Sequence, residues 1–204
     1  MPTSESVRVR SLCLCFDDRG DGLLARDPFA LVTGMLLDQQ MPMERAFLGP
    51  WKVAERMGTP DRLDVVAIAY YEPSAFAAIV SRAPAVHRFP TAMAARIQAV
   101  AQHIVTEYAG DTEAIWRAVP TGRALHDRLV ALPGFGDQKA RILVALLGKQ
   151  LGVEPRGWRE AAGAYGDKGS RRSVADVVDA QSLAAVRRFK QESKAAARAA
   201  IVTG

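Results

Sequence analysis

Apolar residues recur along most of this chain at the three- and four-residue intervals of an α-helix, and turn-forming residues separate the segments. The clearest case is the stretch TAMAARIQAVAQHIVTEYAGD, in which Met93, Ile97 and Ile104 share one face. We expect a long helix here, with Thr91 as its N-cap and Gly110 at its end. Strand signals are weak outside residues 8–16. The pattern therefore predicts an all-α protein.

The segment RDPFALVTGMLLDQQ carries the signals of a buried helix. Asp27 suits the N-cap, Pro28 suits the first turn, and the residues that follow are apolar on most faces. Pro42 interrupts this run. In the next stretch, MERAFLGPWKVAERMG, we predict two helices separated at Gly49 and Pro50, because proline disrupts a helix interior.

Further short helices are predicted by the same criteria. They cover residues 64–69, 74–81, 111–119, 122–132, 139–147, 156–164 and about 180–200. No internal repeat and no long linker divides them, so we expect a single unit over residues 1–204.

Composition narrows the class of protein. The chain has 204 residues, 49% of them hydrophobic, which is enough for a packed core. No apolar run approaches a membrane span, and the N-terminus lacks a signal-peptide pattern, so we expect a cytoplasmic protein without a membrane partner. Cys13 and Cys15 are the only cysteines, and the first histidine is His87. This spacing indicates no metal or iron–sulfur site, and we expect no cofactor.

The net charge of +5 lies entirely in the C-terminal part of the chain. Residues 156–198 contain ten Lys/Arg and five Asp/Glu, whereas the remainder has 17 basic and 17 acidic residues. Segregated basic charge favours a polyanionic partner, and a solvated helical tail is the alternative.

The stretch LPGFGDQKA, residues 132–140, predicts a rigid turn in front of a helix. Leu132 can provide the hydrophobic contact that ends one helix, and the proline after it prevents continuation. Gly134 and Gly136 permit backbone angles closed to other residues and allow another molecule to approach the backbone closely. Phe135 would pack between the helices. The next helix would offer free N–H groups to a phosphate; a plain helix–turn–helix corner is the alternative.

The stretch LPGFGDQKARILVALLG resembles the helix–hairpin–helix of the endonuclease III-like (HhH-GPD) DNA glycosylase superfamily. The likeness covers about residues 27–151, because DPFALVTGMLLDQQ is similar to the family's early helix and TAMAARIQAVAQHIVTEYAGD to the long helix before the hairpin. More narrowly, the chain resembles short actinobacterial proteins described as HhH-GPD-type base-excision repair proteins.

This resemblance implies two helical lobes, a central one over about residues 36–150 and a second built from residues 1–35 and 151–204. It implies a monomer with double-stranded DNA across the cleft and one nucleotide flipped into it. Gln40 takes the place of a glutamine that fills the gap left by the extruded base. The other residues expected at the DNA are Leu132, Gly134, Phe135, Gly136 and Lys139.

The resemblance also locates a catalytic aspartate about sixteen residues past the alanine after the hairpin, and counting from Ala140 gives Arg156 here. The nearest acids are Glu154, which precedes a proline at the expected helix start, and Glu160. A carboxylate there can stabilise a developing sugar cation and orient or deprotonate a water. Asp38, on the early helix, is a third candidate. It could line the pocket or bond to the start of the next helix.

Bifunctional members of the superfamily carry a lysine nucleophile two residues past the second hairpin glycine, where this chain has Gln138. Lys139 is adjacent, but one residue along a helix rotates a side chain by about 100°. We therefore expect a monofunctional enzyme in which Lys139 contacts phosphate or solvent.

Two further residues are candidates for the base pocket. Trp158 could stack on a flipped base, and His87, in the sequence HRFP, could stack on it or act as an acid or base. Burial in the core for Trp158 and packing in a loop for His87 are the alternatives.

The sequence thus favours a monofunctional DNA glycosylase of base-excision repair that hydrolyses the N-glycosidic bond of a damaged or mispaired base. The second hypothesis is a helix–hairpin–helix protein that binds DNA or a lesion without catalysis. The third is a helical protein whose hairpin binds a protein partner.

Overall fold

The computed structural model describes residues 12–202, with side chains up to residue 198. Ten α-helices lie in this range: α1 Asp18–Arg26, α2 Pro28–Leu37, α3 Met43–Arg56, α4 Val65–Ala69, α5 Pro73–Ser81, α6 Pro90–Tyr108, α7 Gly122–Val130, α8 Asp137–Leu146, α9 Trp158–Ala162 and α10 Ala180–Val202. Short 3₁₀ turns and one π turn after α8 connect some of them.

The all-α prediction is confirmed for the described residues, which form no β-strand. Their β-type pairing is limited to an isolated bridge between Thr121 and Arg156. Residues 12–16 form no strand, and the rest of the 8–16 segment lies outside the described range. None of the helices between residues 12 and 202 is long and apolar enough to cross a membrane.

The predicted start of α2 is confirmed, with Asp27 as its N-cap. The Asp27 carboxylate accepts hydrogen bonds from the backbone N–H groups of Phe29 at 2.9 Å and Ala30 at 3.0 Å. Its second oxygen accepts from Leu63 N at 2.7 Å, which fixes the chain that follows α3 against the start of α2. Every residue of α2 after Pro28 is buried, as its uniformly apolar sequence predicts.

The predicted break at Gly49 and Pro50 is wrong, because α3 runs continuously through both residues. Proline inside a helix costs about 3 kcal/mol, so packing must offset this cost. Gly49 allows close packing: a side-chain carbon there would lie 2.6 Å from Leu37 Cδ1 and 2.9 Å from Val86 Cγ1. Tertiary contact with α2 therefore maintains the helix where local propensity would end it.

Two predicted boundaries also differ from the structure. α6 begins at Pro90 with Phe89 in the N-cap position, so Thr91 is not its cap. The helix ends in two left-handed residues, Ala109 and Gly110, with φ of 51° and 82°. The helix predicted over residues 111–119 is only a 3₁₀ turn, Thr112–Ile115.

The helices pack in contacting groups. α2 packs on α3, α4 and α5 pack on α6, and both α7 and α9 pack on α8. α10 joins the body through buried Leu183 and Val186, while the side chains of residues 190–198 are exposed. The division into lobes near residues 36 and 150 stays a prediction.

Candidate functional site

The turn between α7 and α8, residues 131–136, is anchored by its apolar side chains. Leu132 and Phe135 are buried, and Phe135 N donates to Leu132 O at 3.0 Å. Gly134 has a φ of +81°, and a side-chain carbon there would lie 3.0 Å from Leu36 Cδ1. The turn therefore requires glycine at 134 and presses closely on the C-terminal end of α2.

The first turn of α8 presents open backbone donors. Gly136 is the N-cap and provides no side-chain cap, and a side-chain carbon there would meet no atom within 4 Å. The N–H groups of Gly136, Asp137 and Gln138 have no acceptor among residues 12–202. The Asp137 carboxylate lies 2.8 Å from Arg141 Nε and 3.1 Å from His126 Nε2, so a guanidinium and an imidazole flank the one acid at this helix end. Open N–H groups at a helix start suit an anion.

Lys139 turns inward instead of reaching solvent, contrary to the sequence expectation. Its Nζ donates to Met35 O at 2.7 Å and Leu36 O at 3.0 Å, and it lies 5.6 Å from the centre of the Phe135 ring. Burial lowers the pKa of Lys139 to about 8, although nearby Asp38 opposes the shift. The side chain thus binds α8 to the C-terminal carbonyls of α2.

Asp38 is the C-cap residue of α2 and is half-buried. Burial raises the pKa of its carboxyl group, while the positive charges of Lys190 and Lys139 act in the opposite direction. A half-buried acid with a shifted pKa beside cations is a typical arrangement of functional sites.

These side chains line one cavity of about 630 Å³, which we call the Asp38 cleft. Asp38 is the one acidic residue among those lining it. Four cations line it as well: Lys139, Arg172, Lys190 and Lys194. Gln138 and Tyr165 lie on its wall, with Gln138 Nε2 donating to the Tyr165 hydroxyl at 2.9 Å. The cleft therefore carries excess positive charge around a single carboxyl group.

Gln40 stands at the rim of the Asp38 cleft with an exposed side chain and a φ of +55°. It also lines a second cavity, of about 510 Å³, that Arg45, His87 and Arg88 border. Gln40 therefore borders both cavities. A left-handed backbone is uncommon for a residue other than glycine, and such conformations cluster at functional sites.

His87 is buried and positions the turn that holds Gln40. Its Nδ1 accepts from Phe89 N at 3.0 Å, so Nε2 carries the proton and donates to Gln39 O at 2.9 Å. His87 borders the second cavity and not the Asp38 cleft. The structure therefore does not bring His87 together with Asp38.

Trp158 is buried in the core and does not line the Asp38 cleft. Its ring packs where a side chain at Gly148 would otherwise stand, since a carbon added there would lie 2.6 Å from the ring. The Arg159 guanidinium lies 4.2 Å from the ring centre. Trp158 thus fixes α9 on α8 and lies in the core, outside the Asp38 cleft.

Glu154 and Glu160 are exposed and outside the cleft. α9 begins only at Trp158, because a turn intervenes in which Trp158 N donates to Pro155 O and Gly157 is left-handed. The helix start expected directly after Glu154 is therefore wrong. Of the three candidate carboxylates, Asp38 is the one that the fold places in the cleft.

Sequence reasoning missed several residues around these cavities. Tyr165 and Arg172 come to the Asp38 cleft from the turn-rich segment before α10, and only the basic composition of that segment signalled them. Arg45 and Arg88 gather beside Gln40 from separate elements, with no local signal.

Comparisons of the chain with protein-family models, curated proteins and solved structures give no match. No group of three or more histidine, cysteine, aspartate or glutamate side chains in the described part could hold a metal ion.

Proposed function

We propose that this protein binds duplex DNA and hydrolyses the N-glycosidic bond of a damaged or mispaired base, as a monofunctional DNA glycosylase of base-excision repair. The observation that carries the proposal is the position of Asp38: a half-buried carboxyl group in a cleft that is also lined by four cations and by the exposed Gln40.

Two surfaces support DNA binding. The first is the start of α8, where open N–H groups and the positive end of the helix dipole suit one phosphate without reading sequence. The second is a basic stripe on α10, which spans an arc of about 80° at about 100° per residue. The stripe consists of Arg187, Lys190, Lys194 and Arg198. Lys190 and Lys194 also line the Asp38 cleft, so the two surfaces flank the cavity.

Asp38 suits the chemistry of base removal. The departing base leaves positive charge on the sugar, which a carboxylate can stabilise while it orients or deprotonates a water. The positive charges of Lys190 and Lys139 favour the ionised form of the carboxyl group, whereas burial, which has the larger effect, raises its pKa. Because Lys139 Nζ is engaged by the carbonyls of Met35 and Leu36, we assign it to phosphate attraction and support of α2 rather than to a covalent step.

A second candidate function is recognition of DNA or a lesion without catalysis. Arg156 favours it, because a basic residue stands where the resemblance implies a catalytic aspartate, and its carbonyl is engaged by Gly122 N at 2.8 Å. In that case the cleft would bind the extruded nucleotide and Asp38 would have no reacting partner.

A screen of the purified protein against duplex oligonucleotides, each with one lesion or mismatch, tests the proposal by base release. On a substrate that is processed, we expect Asp38→Asn to reduce the rate on the order of 10²- to 10⁴-fold with DNA binding little changed. Glu154→Gln and Glu160→Gln are matched controls, because both carboxylates lie outside the cleft. Binding without base release from any lesion would favour the second candidate, and absence of binding would overturn both.

A further inference from the structure

Arg172 is the one arginine among the described residues that line the Asp38 cleft. Its side chain is exposed, and none of the ion pairs formed between residues 12 and 198 includes it. Lys139 differs, because its ammonium group donates to two backbone carbonyls of α2. The Arg172 guanidinium is therefore available to an anion that enters the cleft.

The ring of Phe189, in α10, orients this guanidinium. Arg172 Cζ lies 4.9 Å from the centre of the Phe189 ring, which is within the range of a cation–π contact, and Phe189 is half-buried. A ring against one face of a guanidinium leaves the N–H groups in its plane free. These N–H groups form the planar fork with which an arginine binds a phosphate at two oxygens.

A buried ion pair fixes the backbone at the same place. Lys149 Nζ, in the π turn after α8, lies 2.6 Å from Asp176 Oδ1, and the two side chains are 16% and 5% exposed. The other Asp176 oxygen accepts from the backbone N–H groups of Arg172 at 2.9 Å and Ser173 at 3.2 Å. Gln150, next in the π turn, donates to three carbonyl oxygens of the same segment. The segment that carries Arg172 is thus attached to the end of α8.

We infer that Arg172 binds a backbone phosphate of the nucleotide that enters the Asp38 cleft, and that Phe189 and the Lys149–Asp176 pair are its positioning residues. This rests on the proposed function, because an intact duplex places no nucleotide in the cleft. A buried ion pair adds little net stability compared with an apolar pair, so its contribution here is the fixed position of Arg172.

Two other cations of the cleft have a different role. Lys190 and Lys194 end in point charges on flexible stems, and both belong to the α10 stripe that is proposed to follow the duplex. Arg172 comes from the segment before α10, and a ring and a fixed backbone hold it. We therefore expect Arg172 to favour DNA with a nucleotide in the cleft over intact duplex.

The test measures the affinity of the full chain for two duplexes by fluorescence anisotropy. One carries a tetrahydrofuran abasic-site analogue, whose sugar and phosphates leave the helix without breaking a base pair, and the other is intact. We expect the parent to bind the abasic duplex more tightly. Arg172→Gln should weaken this binding on the order of 10- to 100-fold and leave the affinity for intact duplex unchanged. Arg171→Gln is the matched control, because Arg171 is exposed but does not line the cleft, and it should change neither affinity.

The positioning role is tested in two backgrounds. Phe189→Leu and Lys149→Met should each weaken binding of the abasic duplex in the parent but add no loss in Arg172→Gln, because a positioning residue acts through the side chain that it holds. Lys149→Arg keeps the charge and should restore the affinity. Phe189→Leu leaves the buried pair intact, so it tests the role even where Lys149→Met fails to fold. Losses that add in full to that of Arg172→Gln would overturn the positioning role.

The outcomes separate the inference from the proposed function. If Arg172→Gln weakens the binding of both duplexes equally, or of neither, Arg172 does not bind the nucleotide in the cleft, and the proposed function still stands. A parent protein that binds neither duplex would overturn both.

Discussion

Asp38 and Lys139 carry opposite charges in one cleft. Burial shifts the pKa of each group in the direction that favours its neutral form. The pKa of Asp38 rises above its ordinary value, and the pKa of Lys139 falls to about 8. Each group also supports the charged form of the other. Burial therefore brings the pKa values of these two groups closer together than those of the free side chains.

We predict a bell-shaped pH profile for base release. The rate should rise with pH as Asp38 loses its proton, because the carboxylate is the form that stabilises the sugar cation. It should fall above pH of about 8 as Lys139 becomes neutral. Lys139→Arg, which stays charged, should move the alkaline limb upward, as measured by single-turnover rates over a pH series. An alkaline limb that stays in place in this variant would exclude Lys139 as its source.

Lys139 also contributes to stability, because its ammonium group satisfies the carbonyls of Met35 and Leu36. We predict that Lys139→Met lowers the free energy of unfolding by about 1–3 kcal/mol, since a hydrogen bond to a charged group contributes about 1.5–3 kcal/mol and removal of a buried charge offsets part of the loss. Lys194→Met changes an exposed lysine of the same cleft and should stay within about 0.5 kcal/mol. Urea denaturation measures the free energy of unfolding of both variants. Equal losses in the two would contradict the stabilising role of the Lys139 ammonium group.

At the scale of elements, the two glycines of the α7–α8 turn have different roles. Gly134 has the left-handed backbone and the close contact with Leu36, whereas Gly136 has an extended backbone and open space around it. Gly134 is therefore needed by the fold. Gly136 leaves the first N–H groups of α8 accessible.

We predict that Gly134→Ala destabilises the protein, by about 1 kcal/mol or more, because alanine is strained at positive φ. Gly136→Val should preserve the thermal midpoint but weaken DNA binding regardless of sequence, because its side chain would shield the open N–H groups of α8. Differential scanning fluorimetry and a binding titration separate the two effects. Unchanged affinity of a folded Gly136→Val variant would remove the α8 terminus from the proposed interface.

At the scale of the whole molecule, the fold places positive charge at both cavities that Gln40 borders. The charge at the Asp38 cleft comes partly from α10, and Arg45 and Arg88 line the second cavity, with Arg96 at the Gln39 side chain; these three arginines lie in the portion of the chain whose net charge is zero. The ion pair of Arg187 with Glu44 ties α10 to α3 and so holds its basic stripe beside the cleft. The positive surface is thus larger than the basic C-terminal segment.

We predict that DNA affinity falls steeply as the salt concentration rises, and that the α10 stripe contributes a measurable share of the slope of log K against log salt. Each phosphate contact contributes about 0.9 to the slope of log K against log salt, so replacing Lys190, Lys194 and Arg198 with Gln should lower the slope by up to about 2.7. Arg188→Gln, about 120° from the centre of the stripe, should leave the slope unchanged. Titrations by fluorescence anisotropy at several salt concentrations give these values, and equal slopes for the triple variant and the parent would exclude the stripe.

The sequence by itself determined the elements whose signals are local. The Asp27 cap, the period of α6 and the glycine-bearing turn at residues 132–136 all depend on contacts within a few residues, and each appears in the structure. Such signals are readable because caps, helical periodicity and turn angles are set by neighbours along the chain. All-α character follows from the same local information.

Only the tertiary structure decided which side chains meet. Asp38, Lys139 and Lys190 come from three distant segments, and no periodic pattern relates them. Packing also overrode two local expectations. α3 continues through Pro50 where it packs on α2, and the Trp158 ring is buried in the core against Gly148, where a side chain would clash with it. The physical reason is that the packing of apolar faces selects the relative positions of helices, and those positions are absent from any short stretch of sequence.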